Sequence, residues 1–471
     1  MSTHTGKTPV LIMILFTAAA SHAGVQREWV QTYQGPGDGL DVGVRVALDR
    51  SGDAYVGGYS QGESGHIDYV VLKYGSGGSQ LWVQRYSDPN GYDAYLADMA
   101  VDAQGNVYVT GSSQRLSDLI SVGDASIVTA KYDANGNRLW VARFDGGRSS
   151  LAFGNVLAVD RSGNVYVAGT LHEKAGGSMR TQITLKYDSD GHKQWVRSSL
   201  GLGNAIALDP RGGSVFVAGL YEDPVGSTYR GRLVINQYSL DGARMWKLDR
   251  PDSFNDWDAV KGMVVSRSKY VVVCGRGRDG YLGTTARVVG FHLTDARYWF
   301  EELSSGTLGY EAIALSANDR VVLAGFDGLC GSGQGSGRML MCKIPLNNPI
   351  GGWLREYSNP NGCAEAHAIA TDAKGDIYAG GSIEFDVGTL KVDGVTGKRI
   401  WAKRQPATAS DMPFHFDTAS SVAVDPTGNV FVAGRINSHL FSDEGDIVLI
   451  KYSQPAAYSA EDAHTLDSGA R

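Results

Sequence analysis

Eight of the nine tryptophans recur at one repeating position: Trp29, Trp82, Trp140, Trp195, Trp246, Trp299, Trp353 and Trp401. The shortest step is 48 residues, from Trp353 to Trp401, and the longest is 58, from Trp82 to Trp140. A near-constant period of this size marks an array of like supersecondary units, each burying its apolar face against its neighbours. It overrides the two or three separate domains that 471 residues would otherwise suggest.

The unit beginning near Ala97 shows the plan. Met99–Asp102 is a short apolar run, and the turn Ala103–Asn106 leads into Val107–Gly111, which closes a hairpin. After a variable loop come Ile127–Tyr132, the turn Asp133–Asn137 and a last strand, Leu139–Phe144, that carries Trp140. The first run recurs eight times, as Val46–Asp49, Met99–Asp102, Leu157–Asp160, Ile206–Asp209, Met263–Ser266, Ile313–Ser316, Ile369–Asp372 and Val422–Asp425. The second strand ends in glycine each time, at Gly58, Gly111, Gly169, Gly219, Gly275, Gly325, Gly381 and Gly434. Radial crowding near a central axis explains small residues there, and tryptophan on the outermost strand fills the wider gap between diverging sheets.

Eight four-stranded antiparallel units around a channel make an all-β, eight-bladed β-propeller. The ends predict how it closes. Glu28–Tyr33 is an orphan fourth strand, and the chain finishes after a third strand, Ile447–Tyr452. The N-terminal strand is therefore expected to complete the last blade, which removes edges that would invite aggregation.

The segments of the form Ala-Val-Asp-x-x-Gly-Asn-Val-Tyr-Val-x-Gly resemble the secreted bacterial β-propeller (SBBP) repeat family over about residues 44–453. That resemblance implies export and propeller architecture, and brings no catalytic residues with it. Units five and six depart from the pattern, with Ser266 and Ser316 in place of the turn aspartate and no Gly-Asn. Val392–Trp401 is similar to the tryptophan-docking repeat of eight-bladed quinoprotein dehydrogenases and their non-enzymatic relatives. Those enzymes bind pyrroloquinoline quinone with calcium and use an adjacent Cys-Cys pair, which this sequence lacks. The second resemblance supports eight blades and docked tryptophans; no cofactor is expected.

Lys7, the apolar run Leu11–Ala20 and Ser21-His22-Ala23 read as a secretory signal over 1–23, with the exported chain starting at Gly24. The run is too short to span a bilayer. Residues 24–453 are assigned to the propeller, and the polar, aperiodic 454–471 to a disordered tail. The product is expected to be periplasmic or secreted and monomeric. A net charge of −7 without a basic block leaves no footprint for nucleic acid. Export permits disulfides. Cys330 and Cys363 fall in loops on one face and are the expected bridge; Cys274 and Cys342 lie in strand patterns as small buried thiols.

Features common to most blades read as architecture. Asp133-x-Asn135-x-Asn137 and Asp188-x-Asp190-Gly191 look like calcium loops, yet sit where hairpin turns belong and lack the distal glutamate, so no metal is expected. The recurrent turn aspartates, and Lys73, Lys131, Lys186, Lys343, Lys391 and Lys451, read as turn and blade-interface residues. Function is sought where the repeat breaks, in the variable loops of one face.

Several of those loops pair an aromatic with a carboxylate: Tyr92-Asp93-Ala94-Tyr95, Phe254 to Asp258 including Trp257, Phe414-His415-Phe416-Asp417 and, in a weaker form, Tyr310-Glu311. With Asp41 they make a candidate surface for a polysaccharide, rings stacking on sugars and carboxylates taking hydroxyls. The competing reading is that Asp41, Asp93, Asp258 and Asp417 cap their loops over packed aromatics. His66, His367, His415 and His439 fall in one sector with Glu365, Asp417 and Asp41. Glu365, His367, His415 and Asp417 are the candidate catalytic set for a polysaccharide lyase or glycoside hydrolase. No nucleophile elbow accompanies them. The leading reading is a binding or scaffolding module for a polysaccharide or an envelope or extracellular protein, with the enzyme as alternative and a quinoprotein oxidoreductase third.

Overall fold

The computed structural model describes residues 24–37, 39–116, 123–147, 150–173, 180–225, 228–249, 257–279, 283–295, 297–303, 308–328, 337–347, 351–359, 362–407, 416–438 and 444–454. Their strands form eight four-stranded antiparallel sheets. Blades one to seven each use consecutive strands, spanning 41–86, 93–144, 150–200, 205–249, 257–303, 308–357 and 364–405. The first strand of each blade packs on that of the next, and blade eight returns to blade one, so the ring is closed. The eighth blade combines Thr418–Val424, Val430–Ile436 and Asp446–Ser453 with the N-terminal strand Gln26–Tyr33. That strand pairs antiparallel from Gln26↔Ser453 to Tyr33↔Ile447. The expected closure is what the chain forms, and it ties residues more than 400 apart in sequence into one sheet.

The recurring tryptophan is on the outer strand of every blade and is docked on the following one. Trp29, Trp82, Trp140 and Trp195 donate through Nε1 to the carbonyls of Ser76, Ala134, Ser189 and Leu240, at 3.3, 3.1, 3.0 and 3.0 Å. Each of these carbonyls belongs to the turn between third and fourth strands of the next blade. The recurrent lysine, paired with the tryptophan across the sheet, donates to the same oxygen: Lys451 to Ser76 at 3.0 Å, Lys131 to Ser189 at 3.1 Å and Lys186 to Leu240 at 2.8 Å. One carbonyl thus takes a neutral and a charged donor from the neighbouring blade, and the charged one is the stronger. The turn glycine must approach the indole closely. At Gly136 φ is +87°, and an added Cβ would meet the Trp82 ring.

The lysines also stand over the second-strand aromatic, as Lys131 does over Tyr108 at 5.1 Å. Tyr108 in turn donates to the turn aspartate Asp102 at 3.0 Å, and Asp102 accepts the Gln104 and Asn106 amides at 2.9 Å each. The aspartates and lysines of the repeat are therefore turn caps and interface fasteners, as their register implied. In blades five and six the turn keeps its shape without glycine. Lys269 and Asp319 take its place at φ 70° and 55°, a left-handed conformation that L-residues resist.

The glycine closing each second strand has a different cause from the radial crowding that the sequence suggested. Seven first strands carry a β-bulge facing it, with Val44, Ala97, Asn155, Lys261, Glu311, His367 and Ser420 as the extra residues. The bulge drives a carbonyl of the first strand against the glycine. A Cβ on Gly111 would overlap the Tyr95 carbonyl oxygen, and one on Gly381 that of Glu365. The constraint is steric and lies within one blade. Bulges re-aim side chains, and the bulge residues Lys261, Glu311 and His367 line the channel cavity.

Candidate functional site

The antiparallel order puts the connections into each first strand, and those between second and third strands, on one face. Several carboxylates expected there serve as loop anchors. Asp41 is buried and accepts the Gly35 amide at 2.7 Å, and burial raises its pKa. Asp417 is buried and accepts both the amide and the hydroxyl of Ser438 at 2.9 Å. Asp93 takes the Ile67 amide at 3.0 Å and meets His66 Nδ1 at 3.3 Å, while Asp258 is exposed and pairs with Arg278 at 3.3 Å.

The aromatics divide in the same way. Trp257 is 1% exposed and packs in the core between blades four and five, so its ring faces are not offered to solvent. Tyr310 is likewise buried. Tyr95 packs edge-on against Tyr59 at 5.2 Å, and Tyr92 donates to Asp124 at 3.2 Å. Phe416 is exposed and meets Phe385 edge-on at 5.2 Å. Phe414, His415, His439, Phe254 and Cys330 lie outside the described residues. Asp41, Asp417 and Trp257 are all buried.

Of the candidate catalytic set, the structure brings together Glu365 and His367, 3.6 Å apart. His367 is the bulge residue of blade seven and lines a cavity of about 320 Å3 in the channel. Burial lowers its pKa, and this outweighs the opposing pull of Glu365 and Glu311. Its neighbours there were not singled out from sequence, except Glu311. Lys261 Nζ lies 2.8 Å from Glu311 Oε2, and Arg276 Nε 3.3 Å from Glu311 Oε1. Across the cavity, Arg45 Nε donates to Asp98 Oδ1 at 2.7 Å, while Asp98 Oδ2 accepts the Leu157 amide at 3.0 Å. The pair crosses from blade one to blade two, and the amide belongs to blade three.

A signal for these residues was present in the repeat. At the bulge position the blades in order carry Val44, Ala97, Asn155, Asn204, Lys261, Glu311, His367 and Ser420. At the next position six blades carry Val156, Ala205, Gly262, Ala312, Ala368 and Ser421, while blades one and two carry Arg45 and Asp98. The repeat therefore breaks inside the first strand as well as in the loops.

A second cavity, of about 380 Å3, opens between blades six and seven beside Tyr357, Asn359 and Leu390. Its rim holds Glu384, which is ion-paired to Arg404 and accepts from Asn359 at 2.7 Å. Cys274 and Cys342 are free and buried, with burial pushing the Cys342 thiol up to about 12. Cys363 is buried and is not one of the free thiols. Among the described residues no group of three or more His, Cys, Asp and Glu is placed to hold a metal ion, and no helix is long and apolar enough to cross a membrane.

Three segments, 81–115, 139–170 and 417–441, match the family described as Beta-propeller repeat (SBBP). The solved Dos1 propeller aligns with 91% of this chain and 95% of its own at a TM-score of 0.57, with 11% identity, a likeness of fold. The WD40 domain of SCAP from fission yeast aligns with 91% of this chain and 98% of its own, at a TM-score of 0.42 and 10% identity. An uncharacterized WD repeat-containing protein of Acanthamoeba polyphaga mimivirus is 28% identical over 122 residues. That match takes in 23% of this chain and 8% of the viral protein's length.

Proposed function

From a β-propeller repeat protein built in this way, we propose an exported binding or scaffolding module that engages a polysaccharide, or an envelope or extracellular protein, on its loop-bearing face. One observation carries the reading. The turns of the opposite face repeat the same aspartate, tyrosine, lysine and tryptophan contacts in most blades, while the loops of the other face vary and the channel carries Arg45, Asp98, Lys261, Glu311 and His367 in one blade each. The donors and acceptors of those repeated turns are saturated by their neighbours and are not offered for recognition. Side chains that vary on a rigid scaffold are where recognition resides.

Export rests on the signal-like 1–23 and on the secreted character of SBBP-repeat proteins. A Cys330–Cys363 bridge would suit that compartment. The test is binding of purified 24–471 to a glycan array, with capture of extracytoplasmic proteins in parallel. Saturable binding to a glycan or a defined protein supports the module. New reducing ends or unsaturated products from a bound glycan would replace it with the hydrolase or lyase. A folded protein that binds in neither format sinks the reading.

A further inference from the structure

Small residues are what the crowded inner strands require, and alanine, glycine or serine meets that requirement in most blades. Charged side chains are not required by that crowding; the pairs they form, Arg45–Asp98 and Lys261–Glu311, link neighbouring blades and also line the channel cavity. They are also costly to place where the chain partly withdraws them from water.

Their arrangement is specific. Arg45 and Asp98 occupy blades one and two, while Lys261 and Glu311 occupy blades five and six. In a ring of eight, blade one stands opposite five and blade two opposite six. Two ion pairs thus face each other across one cavity of about 320 Å3, at the lower end of the roughly 300–1,000 Å3 typical of small-molecule pockets. Asn204 and His367 continue the lining. The charges of the lining balance: Arg45 and Lys261 give +2, and Asp98 and Glu311 give −2. An ionic ligand would upset that balance. A neutral ligand with many hydroxyls would not, because each hydroxyl both donates and accepts, and the wall alternates carboxylates with guanidinium, ammonium, amide and imidazole groups.

We propose that this channel cavity is a binding subsite for a neutral, hydroxyl-rich ligand, a hexose ring free or at the end of a glycan. Asp98 and Glu311 accept from its hydroxyls, Arg45 and Lys261 donate to them, and a neutral His367 does either. The proposal rests on the binding-module reading and narrows it to a place and a ligand class.

The test is calorimetric titration of 24–471 with neutral mono- and disaccharides and with the matching uronic acids. Asp98→Asn, Glu311→Gln and His367→Asn are run beside Leu139→Ala, an exposed outer-strand control. The expected result is saturable binding of a neutral sugar, weaker for its uronic acid. It should weaken at least tenfold in two of the three channel variants and stay unchanged in the control. Thermal melts of each variant separate loss of a contact from loss of the fold, and His367→Asn tests the site without unpairing an ion pair. Binding that all three folded channel variants retain overturns the subsite and leaves the loop-face reading standing. Preference for the uronic acid overturns the neutral class. No sugar binding overturns the proposal outright, while capture of a protein partner would still preserve the module.

Discussion

The side-chain oxygen of Gln454 lies 3.2 Å from Trp401 Nε1. The same oxygen takes Lys391 Nζ at 2.9 Å. Gln454 follows the last strand of blade eight, where a hairpin turn would stand if that blade were continuous in sequence. For blades eight, one, two and three, a turn carbonyl of the following blade receives both the tryptophan and the lysine. Blade eight takes its fourth strand from the N-terminus and has no such turn. A glutamine side chain supplies the oxygen instead, and its amide nitrogen binds the Gly428 carbonyl at 2.5 Å and the Tyr378 hydroxyl at 3.2 Å. A residue that the sequence assigns to the tail is thus part of the ring.

Gln454→Ala is expected to destabilise the protein by about 1–3 kcal/mol, the range for stranding buried donors, one of them charged. Gln454→Glu keeps the acceptor and should recover part of the loss. Chemical denaturation of the three proteins checks this, and an unchanged midpoint for the alanine variant would refute it.

Removing the N-terminal strand, by starting the chain after Tyr33, uncovers the whole edge of Asp446–Ser453. The shortened protein is expected to melt well below the full one and to elute as aggregates in size-exclusion chromatography. Equal stability and a monomeric profile would mean that the strand is dispensable for closure.

Gly111→Ala places a methyl group against the Tyr95 carbonyl, where backbone on both sides is held by the sheet. We expect a loss of about 1–3 kcal/mol, as for overpacking a rigid site. Lys269→Gly should do the reverse and stabilise by about 1 kcal/mol, since it relieves a left-handed backbone at φ 70°. Equilibrium unfolding of both variants decides the two cases together.

His367 supplies a pH dependence. Its folded-state pKa is below the ordinary 6.5, chiefly through burial. Between the two values the unfolded chain binds the extra proton more readily, so stability rises with pH through that window. The contribution is fully present above 6.5 and is lost as pH falls toward the folded value. His172, also lowered by burial and by Arg180, adds a term of the same sign. Replacing His367 by Gln should flatten the change in stability between about pH 5 and 7.5, and His172→Gln serves as the comparison. An unaltered slope in the His367 variant would show that the imidazole is not held neutral in the folded protein.

The spacing of Trp29 to Trp401, the recurrent aspartate and the split of one blade between Glu28–Tyr33 and Ile447–Tyr452 determined the eight blades, their strand order and the closure. The first two signals are local and repeated, so regular antiparallel pairing turns them into architecture, and the incomplete units at the two ends then leave one way to close it. Burial and convergence were not legible in this way. Trp257 looked like an exposed platform because it stands off the repeat, and only the packing of blades four and five puts it in the core. His367 and Glu365 were found from sequence as neighbours along one strand. Their association with Lys261 and Arg276, and the facing pair Arg45 and Asp98, depends on bulges and on the curvature of the closed ring. Sequence period fixes which strand a residue occupies; where its side chain points, and which residues share a cavity across some 320 residues of intervening chain, as Arg45 and His367 do, is decided when the ring shuts.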